Sequence, residues 1–205
     1  IINISKQDFE KGVHAADSSC MMLLCVDALT ETNLQYGHKY GDELLCLLAK
    51  IIEARFPLSQ VYHIEEDQFA LFLHAASHEE ATEVYEDIAA ALAGKCTVSA
   101  AVVPNDPAFY LAGDTIYEYA GTLLKDKTEI GTLSFFTKED LASRLSSVEL
   151  FEEIEKSVHN NFEGFSVYYQ PQVSAADYRI LSAEALLRFT SPTKGRVFPD
   201  TFIPI

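Results

Sequence analysis

Basic side chains are scarce in this chain of 205 residues: 15 Lys and Arg stand against 31 Asp and Glu, a formal net charge of −16. Nucleic acid and anionic membrane surfaces are held by clustered Lys and Arg, so this balance excludes both as partners. It leaves room for a local pocket that takes a small phosphorylated ligand, and otherwise describes a solvated acidic surface. Cysteine is sparse too. Cys20, Cys25, Cys46 and Cys96 form no C-x-x-C pair, and no histidine lies at zinc spacing from them. Three of the four sit in apolar runs, where Cys acts as a small hydrophobe, so reduced thiols and a cytoplasmic setting are expected. No apolar run reaches membrane-spanning length and no signal peptide is visible, so no membrane contact is expected of this portion. The chain opens on Ile1-Ile2-Asn3 and stops at Ile203-Pro204-Ile205 without a polar tail, as expected of part of a longer protein with an upstream sensory region. The six histidines, His14, His38, His63, His74, His78 and His159, show no ligand constellation.

What is abundant is apolar: 48% of residues are hydrophobic, enough for a packed core. Residues 5–16 read as a short amphipathic helix with Phe9, Val13 and Ala16 on one side. Residues 20–26 are a nearly unbroken apolar run, the pattern of a strand buried on both faces. Residues 42–54 carry Leu44, Leu45, Leu48, Ile51 and Ile52 at helical spacing. Residues 60–64 and 69–74 flank a tight polar turn and predict a β-hairpin. Ser77-x-x-Glu80 is a capping box that opens a helix to about Leu92. Residues 97–103 predict a strand closed by Pro104-Asn105-Asp106-Pro107, residues 108–125 a helix weakened by Gly113 and Gly121, and residues 131–136 a last strand. Strands alternating with helices around one hairpin predict a mixed sheet with helices packed on it, an α/β (α+β) class. A polar stretch from residue 137 begins a linker helix. Ser146-x-x-Glu149 forms a second capping box, and Val148, Phe151, Ile154 and Val158 follow on one face. The expected domains are 1–140, a linker helix 141–160, and 161–205.

Two motif groups point to function. The first runs from Cys25-Val26-Asp27 through Asn33, Gly37-His38 and Gly41-Asp42-Glu43-Leu44-Leu45, followed by Glu65-Glu66-Asp67-Gln68-Phe69. This resembles the GGDEF family, the diguanylate cyclases that join two GTP into cyclic di-GMP. The resemblance implies a ferredoxin-like palm related to adenylyl cyclases, and a homodimer. In that chemistry a ribose 3′-hydroxyl attacks an α-phosphorus while two Mg²⁺ or Mn²⁺ ions stabilise charge through hard oxygen ligands. Aligned on Asn33, one metal position is filled here by Cys25, a poor Mg²⁺ ligand, and Asp27 is an acid two residues on. The resemblance keeps Asp67 as a metal ligand, while the fourth signature position is the uncharged Gln68. Where the family has two glycines for close approach to the triphosphate, Glu65 and Glu66 add bulk and negative charge. Asn33 and Asp42 match the guanine-reading positions; turn or helix-capping roles stand beside that reading. The family's Arg-x-x-Asp inhibitory site would fall on residues 56–59 and is absent. The phosphate-binding lysine has no firm match near residues 125–128.

The second group is Tyr168-Tyr169-Gln170-Pro171-Gln172-Val173, then Ala183-Glu184-Ala185-Leu186-Leu187-Arg188-Phe189, then Phe198-Pro199-Asp200-Thr201-Phe202-Ile203-Pro204. This resembles the opening of an EAL domain, the cyclic di-GMP phosphodiesterase, whose fold is a (β/α)₈ barrel. The resemblance implies that Glu184 ligates Mg²⁺ or Mn²⁺, that Gln170 and Arg188 hold the dinucleotide, and that Leu186 lines the pocket. The combined expectation is a cyclic di-GMP signalling protein. Its first domain does not cyclise GTP and serves as a GTP-binding or dimerisation module for a phosphodiesterase in the longer protein. A weak residual cyclase using Asp27 and Asp67, and an interaction scaffold without nucleotide, are the alternatives.

Overall fold

A computed structural model describes residues 2–3, 5–10, 18–74, 77–106, 115–125 and 129–203. The chain divides into two compact units, 1–141 and 142–205.

The first unit is built around β2 (Cys20–Val26), whose seven residues are all apolar. A strand with no polar face must be covered on both sides and paired on both edges. Its antiparallel neighbours are β4 (Gln68–Leu73) and β5 (Val98–Pro104), with Cys25 opposite Gln68 on one side and Ser99 on the other. The hairpin partner β3 (Val61–Glu65) adds to β4, β1 (Ile2–Asn3) lies parallel to β3, and β6 (Leu133–Phe135) lies parallel to β5. The six-stranded mixed sheet therefore runs β1-β3-β4-β2-β5-β6.

Helices cover both faces, and the alternation along β2 decides which residue meets which layer. Met22, Leu24 and Val26 face α2 (Leu29–Tyr36), α3 (His38–Glu53) and α4 (His78–Leu92), packing with Leu29, Leu48, Ile52 and Ile88. Met21, Leu23 and Cys25 face α1 (Lys6–Glu10) and α5 (Ile116–Lys125), packing with Phe9, Phe72, Tyr117 and Tyr119. The predicted strands and hairpin form within one or two residues of expectation, and Ser77 Oγ caps α4 by accepting from the Glu80 N–H at 3.3 Å. Helix α2 was not predicted. Of its eight residues only Leu29 is buried, so it carries no apolar stripe to read. Gly37, at φ +88°, separates α2 from α3, which starts four residues earlier than its apolar spacing predicts. Val13, His14, Ala16 and Gly113 lie outside the described residues, as do residues 108–114 of the predicted helix.

Asp27, one residue past β2, is 7% exposed. Ser99 Oγ donates to its Oδ1 at 2.6 Å and the Gly131 N–H donates to Oδ2 at 2.8 Å. The carboxylate thus ties the end of β2 to β5 and to the turn that enters β6. Its charge adds to burial in pushing the Tyr85 hydroxyl and the Cys96 thiol up from their ordinary ranges.

The second unit contains most of α6 (Lys138–His159), an antiparallel meander of β7 (Phe165–Val173), β8 (Ile180–Ser191) and β9 (Gly195–Val197), and α7 (Pro199–Phe202). Its core is small: Leu150, Phe189, Val197 and Phe202, with Ile154 and Phe165 packed against them. Phe165 and Phe189 have ring centroids 4.6 Å apart, and Phe202 meets both rings. Two expectations are corrected here. The N-terminal cap of α6 is Thr137-x-x-Asp140, with Asp140 Oδ2 accepting from the Thr137 N–H and Oγ1 at 2.7 Å each. Ser146 and Glu149 are interior to the helix and accept instead from Lys194 Nζ. The buried side of α6 is Leu150 and Ser157, whereas Val148, Phe151 and Val158 are exposed. Of the predicted row only Ile154 packs against the core, and Leu150 is the residue of the helix that enters it with Phe189 and Phe202.

Two stability outcomes follow. Asp27→Ala takes the acceptor from the buried Ser99 hydroxyl and leaves the Gly131 N–H only its longer bond to Ser99 Oγ at 3.1 Å, and is expected to lower the unfolding free energy by roughly 1–3 kcal/mol in urea denaturation. Phe189→Ala removes the centre of a four-residue core and costs roughly 3–5 kcal/mol. Amide exchange over β7 and β8 should then accelerate while β2, β4 and β5 keep their protection.

Candidate functional site

The residues singled out in the first unit collect at the end of β2 where it meets the β3–β4 turn. The register that sets Cys25 opposite Gln68 also closes a backbone bond from the Val26 N–H to the Asp67 carbonyl at 3.1 Å. This places Cys25 Sγ 3.2 Å from Asp67 Oδ2, with the thiol donating to the carboxylate. The same sulfur lies 3.7 Å from the Val26 carbonyl oxygen. The thiol therefore has a carboxylate and a peptide carbonyl beside it.

Gln68 points toward α5, where the Tyr117 hydroxyl donates to its Oε1 at 2.5 Å. Tyr117 is 4% exposed, and Lys6 Nζ lies over its ring at 4.9 Å. Burial first, and then the neighbouring charge of Glu65, push its hydroxyl well above the ordinary range; Asp67 and Cys25 add to this. Tyr117 is the site residue that sequence reasoning missed. Its partner is 49 residues away in the chain, and a Tyr on an apolar helix face reads as core.

Glu65 and Glu66 are exposed at the turn, Asp67 and Gln68 are half-buried, and Phe69 is buried under a stacked His63 ring at 4.5 Å. None of Glu65, Glu66 or Asp67 takes a positive φ. The turn therefore accommodates glutamates without backbone strain, and what they change is bulk and charge. The register shift between His63 and Glu65 marks a bulge at this point, a feature that re-aims the residues beside it. Asp27 does not join the group, because both its carboxylate oxygens are engaged by Ser99 and Gly131.

Asn33 lies on α2 with its Oδ1 buried and without a hydrogen-bond partner. Gly41 on α3 packs against it so closely that a Cβ on Gly41 would stand 2.0 Å from that oxygen. Asp42 follows Gly41 and is exposed, one turn inside α3. A helix-capping role for Asp42 is therefore corrected: α3 begins at His38 with Gly37 as its N-cap. Asn33 likewise sits within a helix and caps nothing with its side chain.

In the second unit the β7–β8 register brings all four predicted residues to one face. Gln170 is directly opposite Glu184, Tyr168 is opposite Leu186, and Ser166 is opposite Arg188. Period-two alternation then puts Gln170, Glu184, Leu186 and Arg188 side by side. The Arg188 guanidinium stands 6.0 Å from the Tyr168 ring centroid, and its Nη1 donates to the Leu187 carbonyl at 2.8 Å. The opposite face carries Phe165, Val167, Leu187 and Phe189. There Ile154, Phe162, Phe165, Val167, Leu187 and Phe202 line an apolar groove of about 620 Å³. The strands are antiparallel, not the parallel pair of a (β/α)₈ wall, because they are joined by a short hairpin connection.

Among the described residues no three His, Cys, Asp or Glu side chains are grouped to hold a metal ion, and no helix is long and apolar enough to cross a membrane. The donor set at the end of β2 does not fit Mg²⁺, which asks for hard oxygens in near-octahedral array, because one of its two side chains is a thiol. Glu184 fits a divalent cation by its chemistry and supplies one carboxylate.

Comparison with known proteins agrees with both motif groups. Residues 3–103 match the family "Diguanylate cyclase, GGDEF domain", and residues 152–205 match the "EAL domain" family. Among curated relatives, the cyclic di-GMP phosphodiesterase NbdA of Pseudomonas aeruginosa is 25% identical over 197 residues, covering 89% of this chain and 24% of the relative. The bifunctional diguanylate cyclase/cyclic di-GMP phosphodiesterase MucR of the same organism is 23% identical over 212 residues, covering 98% of this chain and 30% of the relative. The chain thus spans less than a third of either protein. Among solved structures, the S helix-GGDEF-EAL portion of Vibrio cholerae LapD, bound to c-di-GMP, superposes with a TM-score of 0.54 at 17% identity, covering 96% of this chain and 48% of that one. The active GGEEF domain of a diguanylate cyclase from Vibrio cholerae gives 0.53 at 19%, covering 65% of this chain and 97% of that one. The chain belongs to the GGDEF–EAL proteins: a GGDEF-family domain with the signature Glu65-Glu66-Asp67-Gln68-Phe69, followed by the N-terminal part of an EAL domain.

Proposed function

We propose that this chain is part of a cyclic di-GMP signalling protein in which the GGDEF domain binds GTP without cyclising it and regulates an EAL phosphodiesterase, as a nucleotide-responsive or dimerisation module. The observation that carries the reading is the Cys25 thiol donating to Asp67. Cyclisation needs cations at this point to gather the α-phosphate and the attacking hydroxyl. Here the acid that remains is engaged by a thiol, and Glu65 and Glu66 surround the approach with negative charge. A residual cyclase built on Asp27 and Asp67 is disfavoured, since Asp27 is a buried structural carboxylate with both oxygens occupied.

Retention of nucleotide binding rests on Asn33. A buried carbonyl oxygen without a protein partner costs stability unless a ligand donor meets it, and the N–H edge of guanine supplies such donors. Asp42, exposed on the adjoining turn of α3, adds a carboxylate for the same edge. In the longer protein, Glu184 would hold a divalent cation that activates water against the phosphodiester. Gln170 and Arg188 would orient the dinucleotide on the face that they share with Leu186.

Calorimetric titration of GTP with Mg²⁺ is expected to give saturable binding to this chain. That binding should be lost in Asn33→Ala and in Gly41→Ala, which drives a methyl group onto the Asn33 oxygen. Chromatography of the same mixtures should show no cyclic di-GMP. Product formed by the wild-type chain and abolished by Asp67→Ala would sink the non-cyclising reading, and absence of GTP binding would leave the domain as an interaction module. In the full-length protein, Glu184→Gln is expected to lower cyclic di-GMP hydrolysis at least about 100-fold, as loss of a metal ligand does.

A further inference from the structure

In a chain where acids outnumber bases 31 to 15, the position of each lysine carries information. Lys50 and Lys95 line one surface cavity of about 440 Å³, together with Tyr40, Glu43, Leu44 and Leu47. Among the described residues neither lysine forms an ion pair. We infer that this cavity is a binding site, separate from the guanine-reading residues, for a planar phosphate monoester of the nucleoside monophosphate class.

Helix geometry lays out one wall. Tyr40, Glu43, Leu47 and Lys50 stand at i, i+3, i+7 and i+10 on α3, so they form a stripe along it. The Tyr40 ring lies against Tyr36, with centroids 5.3 Å apart, and Leu44 and Leu47 give the cavity an apolar floor. Lys95 enters from the turn after α4. Gly94, at φ +77°, reverses the chain, the Lys95 N–H donates to the Leu92 carbonyl at 3.0 Å, and Cys96 packs on the core, so the backbone that carries this lysine is fixed. The two ammonium groups match the charge of one phosphate monoester. The floor and the Tyr40 ring offer a base a surface to lie on, and Glu43 accepts from an exocyclic amino group. Glu43 and Lys50 are separated by about 10.5 Å of helix rise, comparable to the length of a mononucleotide from base edge to phosphate. The cavity volume is in the range of small-molecule sites. Neither Asn33 nor Asp42 lines it. Gly41, which packs against Asn33, belongs to the buried stripe of α3, and Asp42 is about 200° round the helix from Tyr40.

Calorimetric titration of AMP into the whole chain at low ionic strength tests the site. Saturable binding is expected, weakened roughly tenfold by Lys50→Gln and roughly tenfold by Lys95→Gln, the loss of one charge-assisted hydrogen bond each. Both lysines are exposed, so these variants keep the fold. Adenosine, which lacks the phosphate, and inorganic phosphate, which lacks the ring, should each bind at least about tenfold more weakly than AMP. Lys156→Gln removes an exposed cation on α6 and should change nothing. Asn33→Ala should leave AMP binding intact, so a failure here is distinct from a failure of the GTP titration. Absence of saturable AMP binding, equal weakening by Lys156→Gln, or loss of AMP binding in Asn33→Ala would each overturn the assignment.

Discussion

Pairing of β2 on both edges is the constraint on which the first unit depends. A seven-residue apolar strand cannot be left with an open edge or face, so β4 and β5 flank it and helices cover it twice. Once that register is set, side-chain destinations follow from parity. Cys25 projects toward α5 and meets Asp67 and the neighbourhood of Tyr117. Val26 projects toward the opposite layer. Asp27, just past the strand, turns to β5 and β6, where it binds Ser99 and Gly131. Two acids or near-acids only two residues apart therefore have unrelated jobs. Cys25 faces Asp67 at the end of the strand and Asp27 ties that end to β5 and β6, and a one-residue slip of the strand would exchange the layers.

The parts of the fold that were legible are those with a short-range cause. The apolar run of β2, the hairpin around residues 65–68 and the Ser77 cap each depend on neighbours within a few positions, and each formed where expected. Helix α2 was missed because it is held by one buried leucine and its junction to α3, not by an apolar stripe. The phase of α6 was misread for the opposite reason. It presents an apolar row, Val148, Phe151 and Val158, that stays exposed, while Leu150 is the residue that enters the aromatic cluster. Periodicity reports which faces are apolar; what lies opposite decides which is buried.

The candidate sites divide in the same way. Motif spacing pointed to Asn33, Asp42, Asp67, Gln170, Glu184, Leu186 and Arg188 one by one. It did not show that Cys25 reaches Asp67, that Tyr117 holds Gln68, or that Asn33 keeps an unpartnered oxygen against Gly41. These contacts join segments 42, 49 and 8 positions apart in the chain, and each depends on register or helix crossing. The substitution that appears most damaging in sequence, Gly to Glu at the turn, is conformationally benign, since no positive φ is required there. The less conspicuous Cys25 does more, because it changes the donor chemistry at a point where the backbone is already fixed.

The β7–β8 hairpin places its polar residues through the burial of its apolar ones. Its register alone aligns a carboxylate, an amide, a guanidinium and an apolar side chain on one face. Its other face is anchored by the Phe165–Phe189–Phe202 cluster. Register in such a hairpin is set by which residues must be buried: Phe165 and Phe189 are directly opposite each other, and counting outward in pairs from them brings Gln170 to Glu184. The alignment of Gln170, Glu184, Leu186 and Arg188 is therefore a consequence of the aromatic core, not of contacts among those four residues themselves. A slip by one residue would carry Glu184, Leu186 and Arg188 to the apolar face and strand Phe189 in water, and the loss of that ring from the core, at roughly 3–5 kcal/mol, is what holds the polar face in place.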